Sequence, residues 1–430
     1  MQPSNDDDLL QETEMSQPGP YISLTYPEFR LFLGIRLFVT FAYQVQAVII
    51  GWHMYLLTHN TFALGLIGLA EALPAMTTAL FAGHFADNSN KKRMIMKVIA
   101  GMFISSSVLL LFTNPLVSMK VSLSIQIVIL YFMIFCNGIC RGFYSPTAFS
   151  LVGTLVPRKH YANSTTWNSS AFQVSTVLGP AIGGLVLGYF GITAAFFLVI
   201  ISQALAMFFL TFIKNRPVVM TDLEHKLPII ESLRQGISFV FSNKMMLGAL
   251  SLDLFSVFFG GAIALLPVYA TDILHSGAMG LGYLRSAPAA GSLLAMLLML
   301  YKSPVNNAWR NLLLGVCGFG LATILFAISK NFMLSMTALF LTGAFDSISV
   351  IIRSTILQIL TPDNMRGRVS AVNSMFISSS NEIGGFESGT AARIMGTVYS
   401  VVFGGGMVLV VAGLTYFRTR DLLKVKLLKL

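Results

Sequence analysis

The sequence contains few charged residues for its length. Asp, Glu, Lys and Arg make up 11% of its 430 residues, whereas 55% are hydrophobic. Soluble domains carry roughly 25% charged residues, so the composition excludes an ordinary water-soluble domain. Apolar stretches of about 20 residues, long enough to cross the membrane as a helix, recur along nearly the whole chain. The alternating segments of a membrane β-barrel are absent. We therefore predict an all-α, multi-pass integral membrane protein.

Residues that commonly bind metals or perform catalysis are also scarce. The chain has three cysteines and six histidines, without metal-ligand spacing. Cys136 and Cys140 lie one helical turn apart in an apolar stretch, which favours core packing over redox or metal chemistry. No Walker-type glycine loop is present, so no ATP site is predicted. We therefore predict neither an enzyme nor a resident cofactor or metal.

Hydropathy predicts twelve membrane spans. They lie roughly at residues 28–57, 62–86, 92–113, 121–147, 162–189, 192–213, 245–271, 279–301, 309–329, 332–359, 368–392 and 396–417. Lys and Arg concentrate in the loops on the side of the N-terminus, whereas the opposite loops hold little beyond Lys120, Lys330 and Arg393. The positive-inside rule then places both termini in the cytoplasm. Topology thus explains the net charge of +10, and no nucleic-acid partner is predicted.

The spans divide into two groups of six. Residues 1–26 are polar and are predicted to form a disordered cytoplasmic tail. A first six-helix bundle at 27–213 is followed by a cytoplasmic linker at 214–244, where LPIIESLRQGISFVFSN predicts an amphipathic helix. A second bundle at 245–417 precedes a basic cytoplasmic tail at 418–430.

The two bundles are related by sequence. NGICRGFYSPTAFSLVGTLVP aligns without a gap with TGAFDSISVIIRSTILQILTP, which places Gly138 on Gly343 and Pro157 on Pro362. Because six spans separate the equivalents, both copies have the same orientation in the membrane. Parallel repeats of this kind are typical of secondary transporters. The alternative is a helical membrane scaffold that descends from a duplicated ancestor.

Ionisable residues inside the spans form a second pattern. At three equivalent positions the halves carry opposite charges, namely Arg36 and Asp253, Glu71 and Arg285, and Arg141 and Asp346. An unpaired charge in the bilayer costs a few kcal/mol, so these groups need partners or water. Their depths along the helices predict two ion pairs within the halves, Glu71–Arg141 and Arg285–Asp346.

Four of these residues are candidates for proton coupling: Asp253, Asp346, Glu71 and Arg141. A carboxylate beside a mobile cation can bind a proton in one conformation and release it in another. Asp253 is the strongest candidate, because apolar residues surround it and its own helical turn offers no partner. The structural alternative is that these charges form static pairs that hold helices together.

The stretch GHFADNSNKKR follows span 2 and contains Gly83, Asp87, Lys91, Lys92 and Arg93. It resembles the loop signature of the major facilitator superfamily. The resemblance implies a gating motif, in which Gly83 permits close helix packing and Asp87 latches span 2 to the N-terminus of span 11. Asn88 and Asn90 stand where the family has a cation and a glycine. We expect a left-handed turn there, which Asn tolerates.

Span 5 contains the pattern SxxxGPxxGG, formed by Ser175, Gly179, Pro180, Gly183 and Gly184. It resembles the signature of the exporter branches of the same superfamily, with Ser175 in place of the first glycine. The resemblance implies export and close packing of span 5 on span 8. Arg141 resembles the span-4 arginine that this family associates with proton coupling.

Three further stretches, LPVYATDIL, GLGYLRSAPAAGS and LTPDNMRGRVSAVN, resemble the enterobactin-exporter branch of Gram-negative bacteria. The resemblance implies export of a siderophore-like molecule across the bacterial inner membrane by rocker-switch alternating access and proton antiport. The expected partners are membrane lipids, a small organic substrate and protons, and the sequence does not indicate whether there is an oligomeric partner. The alternatives are a broad-specificity multidrug efflux transporter and a non-transporting membrane receptor or scaffold.

The resemblance also implies a central cavity lined by spans 1, 4, 7 and 10. The candidate substrate residues on these spans are Arg36, Gln44, Gln46, Tyr144, Phe259 and Arg353. Cations and aromatic rings together suit an anionic aromatic ligand such as a catecholate. Ordinary helix packing is an equally good explanation for Gln and Phe at these positions.

Overall fold

A computed structural model describes residues 20–215, 229–301, 307–362 and 365–424. The described residues form helices and no strands, which confirms the all-α prediction. The twelve membrane helices among them are α1 (Pro27–Thr58), α2 (Thr61–Asn88), α3 (Lys91–Thr113), α4 (Leu123–Leu155), α5 and α6 (both within Tyr161–Thr211), α7 (beginning with Lys244–Phe259), α8 (Gly277–Tyr301), α9 (Ala308–Ile328), α10 (Phe332–Leu360), α11 (Arg366–Met395) and α12 (Thr397–Arg418).

Ten stretches of the described residues are long and apolar enough to cross a membrane. One of them, Asn163–Thr211, contains both α5 and α6. The helix α11 is not among the ten. With its 30 residues it is nevertheless long enough to span the bilayer.

Gly191 separates α5 (residues 161–190) from α6 (residues 192–211). Its φ is +79°, a conformation that glycine adopts without the strain of a Cβ. Both ends of Tyr161–Thr211 lie on the same face: the Tyr161 hydroxyl donates to Gly153 O (2.6 Å), and Lys92 Nζ donates to Thr211 O (2.8 Å). The chain therefore reverses at Gly191. We call the face with these ends and the described termini the terminal face, and the opposite one the distal face.

The seventh membrane helix is interrupted, although the sequence predicts a continuous span at 245–271. Its regular part ends at Phe259, a 3₁₀ turn covers Ala262–Leu265, and a wider π-helical turn covers Tyr269–Ile273. Gly260, Gly261 and Pro267 lie at or near the breaks. Interrupted membrane helices are tolerated where the irregular backbone lines a cavity or packs against protein.

The two halves meet through α5 with α8 and α2 with α11, close to the distal face. A Cβ added to Gly184 would lie 2.5 Å from Gly282 Cα, so α5 and α8 touch through their backbones. A Cβ on Gly65 would lie 3.2 Å from Gly389 Cα, which gives α2 and α11 an equivalent contact. Small residues permit such close approach between membrane helices. The packing of α5 on α8 that the exporter signature implied is therefore present.

The segment before α1 is partly folded. Ser23 is fully buried and its backbone N–H donates to Asn163 Oδ1 (3.1 Å). Pro20 O accepts hydrogen bonds from Asn163 Nδ2 and Trp167 Nε1 (2.7 and 3.1 Å). Residues 20–26 of the tail predicted to be disordered are thus folded against α5. Residues 1–19 lie outside the described part of the chain.

A surface helix at Ile229–Ser242 occupies the linker position where an amphipathic helix was predicted. Gln235 on this helix accepts a hydrogen bond at Oε1 from Arg368 Nη1 of α11 (2.6 Å). Arg420–Lys424 forms a short 3₁₀ turn after α12. Residues 216–228 and 425–430, the remainder of the predicted linker and basic tail, lie outside the described part.

Replacing Gly184 by alanine should weaken the distal contact. The added methyl would overpack the contact with Gly282, which costs about 1–3 kcal/mol in a tightly packed interior. Gly406→Ala is the matched control, because a Cβ there has no neighbour within 4 Å. That variant should be neutral or slightly stabilising, as alanine is a better helix former. Thermal unfolding in detergent measures both, and equal midpoints for the two variants would contradict the close contact.

Candidate transport cavity

A cavity of about 380 Å³ lies between the two halves. Its polar lining residues among the described part of the chain include Gln46, Glu71, Asn137, Gln203, Arg285, Asp346 and Asn381, and its aromatic lining residues are Tyr43, Phe319 and Phe326. The interrupted stretch of α7 forms one wall, with Gly260 and Gly261. Towards the distal face, Gly51 of α1 packs against Pro267 of α7. Ligand sites at the interface of the two halves are typical of secondary transporters.

Only one of the six predicted substrate residues, Gln46, lines this cavity. Arg36 and Tyr144 are not among the residues that line the cavity, and they pack together inside the first half. The Arg36 guanidinium lies 5.1 Å from the Phe172 ring centroid and 5.9 Å from that of Tyr144. These rings stabilise the cation inside the bundle.

Gln44 and Phe259 are packing residues, which was the alternative explanation for them. Gln44 faces α5: a Cβ added to Gly179 of α5 would lie 2.6 Å from the Cβ of Gln44. The Phe259 ring lies 6.4 Å from the Phe403 ring of α12 in an edge-on arrangement. The first, regular part of α7 ends at Phe259, and its last turn directs the ring towards α12.

The predicted Glu71–Arg141 ion pair is confirmed. Arg141 Nη1 lies 3.1 Å from Glu71 Oε1, and the same nitrogen donates to the Tyr43 hydroxyl at 2.9 Å. The pair joins α4, α2 and α1, and Glu71 and Tyr43 both line the cavity. The Arg141 side chain is 43% exposed and that of Glu71 14%, so this pair lies in a partly open environment.

The second predicted pair is wrong. No ion pair among the described residues joins Arg285 to Asp346, although both line the cavity. Arg285 Nη1 instead donates to Ala47 O of α1 at 3.4 Å and thereby bridges the two halves. The repeat alignment fixes the depth of Arg285, but its long side chain reaches across to the opposite half.

Asp253 is buried and paired with a residue of another helix, a partner that the sequence did not predict. It forms an ion pair with Arg353 of α10, and both side chains are at most 6% exposed. The predicted substrate residue Arg353 is therefore a structural partner of Asp253. Neither is among the residues that line the large cavity. Asp253 borders a void of about 10 Å³, which Asp346 and Ser349 also line. Asp346 lines both spaces, so it connects the buried pair to the cavity.

The exporter signature in α5 binds both neighbouring helices. Ser175 Oγ donates to a backbone carbonyl, either Leu37 O (3.0 Å) or Ala171 O (2.9 Å). Gly183 faces Val45 of α1, and Gly184 faces α8. Pro180 lies inside the helix, and its carbonyl oxygen would be 2.6 Å from a Cβ on Gly282. The motif therefore joins α1, α5 and α8 in one tightly packed unit.

The loop after α2 is built differently from the expected left-handed turn. Asn90 has a φ of −65° and caps α3, because its Oδ1 accepts from Arg93 N at 3.0 Å. Lys92 Nζ donates to Thr211 O and so caps the last turn of α6. Lys91 is half-buried, and Arg93 is exposed. The surroundings of Gly83 and the side chain of Asp87 lie outside the described part of the structure. The latch from Asp87 to α11 therefore stays a prediction.

A contact that the sequence analysis missed closes the distal face. The hydroxyl of Tyr55, at the end of α1, donates to a carboxylate oxygen of Asp272, at the end of α7. Tyr55 is 4% exposed, Asp272 is exposed, and His59 packs edge-on against the Tyr55 ring at 5.6 Å. The sequence offered no signal for this pair beyond an acidic residue near the end of a predicted span.

The described residues contain no group of three or more His, Cys, Asp and Glu side chains that could hold a metal ion. Cys136, Cys140 and Cys317 are free and partly buried. The polar groups of the described cavity can offer a ligand hydrogen bonds and charge.

Replacing Asp253 by asparagine should strongly destabilise the protein. It would leave the buried Arg353 cation without its partner, which costs about 3–5 kcal/mol. The double variant Asp253→Leu/Arg353→Met should recover most of this loss. Glu71→Gln is the comparison, since the Glu71–Arg141 pair lies in a partly open environment and is worth about 1 kcal/mol or less. Chemical denaturation in detergent ranks the variants, and an Asp253→Asn protein as stable as Glu71→Gln would show that the pair is not structural.

Removing the Tyr55 hydroxyl should favour opening at the distal face. Tyr55→Phe deletes one hydrogen bond between the halves, worth about 1 kcal/mol. The access of a reagent to the cavity from the distal side should therefore rise roughly fivefold. A cysteine at Ile50, which lines the cavity, reports this access through labelling by an impermeant maleimide from the distal side. Tyr131→Phe is the control, because its hydroxyl bonds Ala63 O within one half. Equal labelling rates in both variants would exclude a latch.

Comparisons with known proteins agree with this architecture. A family described as transmembrane secretion effector matches residues 19–426. The enterobactin exporter EntS of Escherichia coli K12 is 23% identical over 405 residues, which cover 92% of this chain and 94% of the relative. EntS of Shigella flexneri is 22% identical over 351 residues, or 81% of each chain. The uncharacterised MFS-type transporter YfmI of Bacillus subtilis is 20% identical over 280 residues, 63% of this chain and 68% of the relative.

Solved structures share the fold. A bacterial homologue of the human lysosomal transporter Spinster, in an inward-facing and unoccupied conformation, superposes with a TM-score of 0.71 at 14% identity, covering 93% of this chain and 98% of that one. A bacterial homologue of the iron transporter ferroportin in its inward-facing state gives 0.69 at 13% identity, covering 93% and 99%. At this identity the likeness concerns the fold. Since the family match spans nearly the whole described chain, the protein belongs to the transmembrane secretion effector family of major facilitator superfamily transporters.

Proposed function

We propose that this transporter exports a small organic molecule by proton antiport, with its two halves rocking around the central cavity. The observation that carries the proposal is a cavity between the repeats that contains ionisable groups and is closed by contacts at the distal face. Glycine contacts and the Tyr55–Asp272 hydrogen bond must separate before cargo can leave on that side. Cargo therefore enters from the terminal face and leaves after the halves rock.

The direction of transport follows from the topology. The excess of Lys and Arg on the terminal face argues that this face is cytoplasmic. With that orientation, the structure corresponds to the inward-facing state of the cycle. Likeness to EntS supports placement in a bacterial inner membrane, with export away from the cytoplasm.

Asp346 is the carboxylate best placed for proton coupling. It lines the cavity, and no ion pair among the described residues includes it. Asp253, by contrast, is held by Arg353 away from the cavity. A proton bound at Asp346 from the distal side neutralises a charge on the cavity wall. The closed intermediate, in which this side chain is shielded from water, then costs less free energy. Release to the cytoplasm then restores the carboxylate.

The cargo is proposed to be siderophore-like, on the strength of the similarity to EntS. Lining groups of both signs are present, Arg285 on one side and Asp346 with the paired Glu71 on the other. This lining is less cationic than the sequence predicted, because Arg36 and Arg353 lie elsewhere. A broad-specificity multidrug exporter therefore remains the alternative substrate assignment. A non-transporting receptor is the second alternative.

Asp346→Asn should abolish the effect of a proton gradient on efflux. Efflux is measured from proteoliposomes loaded with a catechol siderophore or a cationic dye. It is compared with and without a proton gradient that drives protons into the vesicles. The gradient should accelerate wild-type efflux roughly tenfold and leave the variant unchanged, because the proton-binding charge is gone. Asp421→Asn is the control, since Asp421 is exposed after α12 at the terminal face.

The two cargoes separate the substrate assignments. Movement of the siderophore alone supports siderophore export, and movement of many unrelated dyes supports multidrug efflux. Wild-type efflux that ignores the gradient would refute proton antiport. A protein that binds these solutes and moves none of them would favour the receptor.

A further inference from the structure

Three buried carboxamides line one wall of the cavity within the described part of the chain. They are Gln46 of α1, Asn137 of α4 and Gln203 of α6. These residues are 6%, 8% and 3% exposed, respectively. Met102 and Ile134 line the same wall and are apolar. The group therefore forms a polar, uncharged patch, which we call the amide wall.

The hydrogen bonds inside the protein leave much of the amide wall unsatisfied. Ser106 Oγ lies 2.8 Å from Gln46 Oε1, and Gln203 Nε2 donates to Ser106 Oγ at 3.0 Å. Gln203 Oε1 is buried and has no hydrogen bond. Exchanging the oxygen and nitrogen positions of the Gln203 amide does not change this result. The oxygen would then accept from Ser106 Oγ, and the nitrogen would have no partner. Among the described residues, no side-chain hydrogen bond involves the Asn137 amide either.

Among the amide atoms of this wall, Gln203 Oε1 is the one that is both buried and without a hydrogen bond, and such a buried polar atom is costly and rarely kept without a function. Each carboxamide offers two N–H donors and an oxygen that accepts two hydrogen bonds. A wall that only had to pack would carry apolar side chains, as it does at Met102 and Ile134. Among the described residues, all three amide-bearing residues line the cavity, so a cargo bound there lies beside them.

We infer that the amide wall is a subsite for an uncharged part of the cargo that both donates and accepts hydrogen bonds, such as hydroxyl or amide groups. Arg285 and Asp346, on helices of the second half, provide the charged side of the same cavity. The cargo is thus a two-ended molecule with a neutral polar group at one end and an ionised group at the other. This inference rests on the proposed transport function and adds the chemistry that selects the cargo.

The recognition can be measured with two probes, one with phenolic hydroxyl donors and one in which methyl groups replace the donor protons. Dihydroxybenzoyl glycine has two phenolic hydroxyls and a carboxylate, and its dimethoxy counterpart lacks the hydroxyl donors. Calorimetric binding to purified wild-type protein, without a proton gradient, should favour the dihydroxy probe roughly tenfold. Gln203→Met and Asn137→Leu keep the side-chain volume and should each remove most of this preference. Met102→Leu, on the same wall, should retain it.

Thermal unfolding without any probe tests whether the amides are held for a ligand or for the fold. If the spare amides serve the cargo, Gln203→Met and Asn137→Leu unfold at the wild-type temperature or above it. Unfolding at a clearly lower temperature in both variants would show that the amides are structural and would overturn the inference.

Binding outcomes decide the ligand class. A wild-type protein that binds both probes equally, or neither of them, overturns the assignment of a hydroxyl- or amide-bearing cargo group. Because these measurements need no gradient, a failure of proton antiport in liposomes would leave their result unaffected. The two proposals can therefore fail separately.

Discussion

A charge inside the hydrocarbon core must be paired or hydrated, and this constraint organises the second half of the protein as well as the cavity. Asp253 and Arg353 satisfy it by burying each other between α7 and α10. Glu71 and Arg141 satisfy it at the edge of the cavity, where water can reach the guanidinium. Asp346 lies between these two solutions: it is close to the buried pair and also lines the cavity. That position is the reason for its proposed role in proton coupling.

The closure at the distal face depends on a second constraint, the close approach of helix backbones. Gly184 with Gly282 and Gly65 with Gly389 remove the side chains that would otherwise keep the two halves apart. Such contacts gain van der Waals energy but are individually weak, so a rocking motion can break them. The Tyr55–Asp272 hydrogen bond adds a polar contact that involves an exposed carboxylate. A closed face that can open is what alternating access requires.

Much of the fold could be predicted because bilayer thickness dictates helix length and composition. The predicted span at 332–359 corresponds to Phe332–Leu360, and depth along the helices was sufficient to predict the Glu71–Arg141 pair. Depth does not fix the rotation of a helix about its axis, and for this reason the partner of Asp253 and the direction of Phe259 were not predicted. The breaks in α7 lie at glycine and proline residues within an apolar stretch, and the amide wall depends on which side chains of distant helices line the same cavity. Hydropathy encodes neither.

The most direct test of alternating access measures distances at both faces in the same protein. Spin labels at the exposed residues Met119 and Met333 report the distal separation of the halves, and labels at the exposed residues Phe212 and Tyr301 report the terminal separation. In lipid nanodiscs, a shift of pH or the addition of cargo should change the two distances in opposite directions. Distances that stay fixed, or that increase and decrease together, would contradict the account.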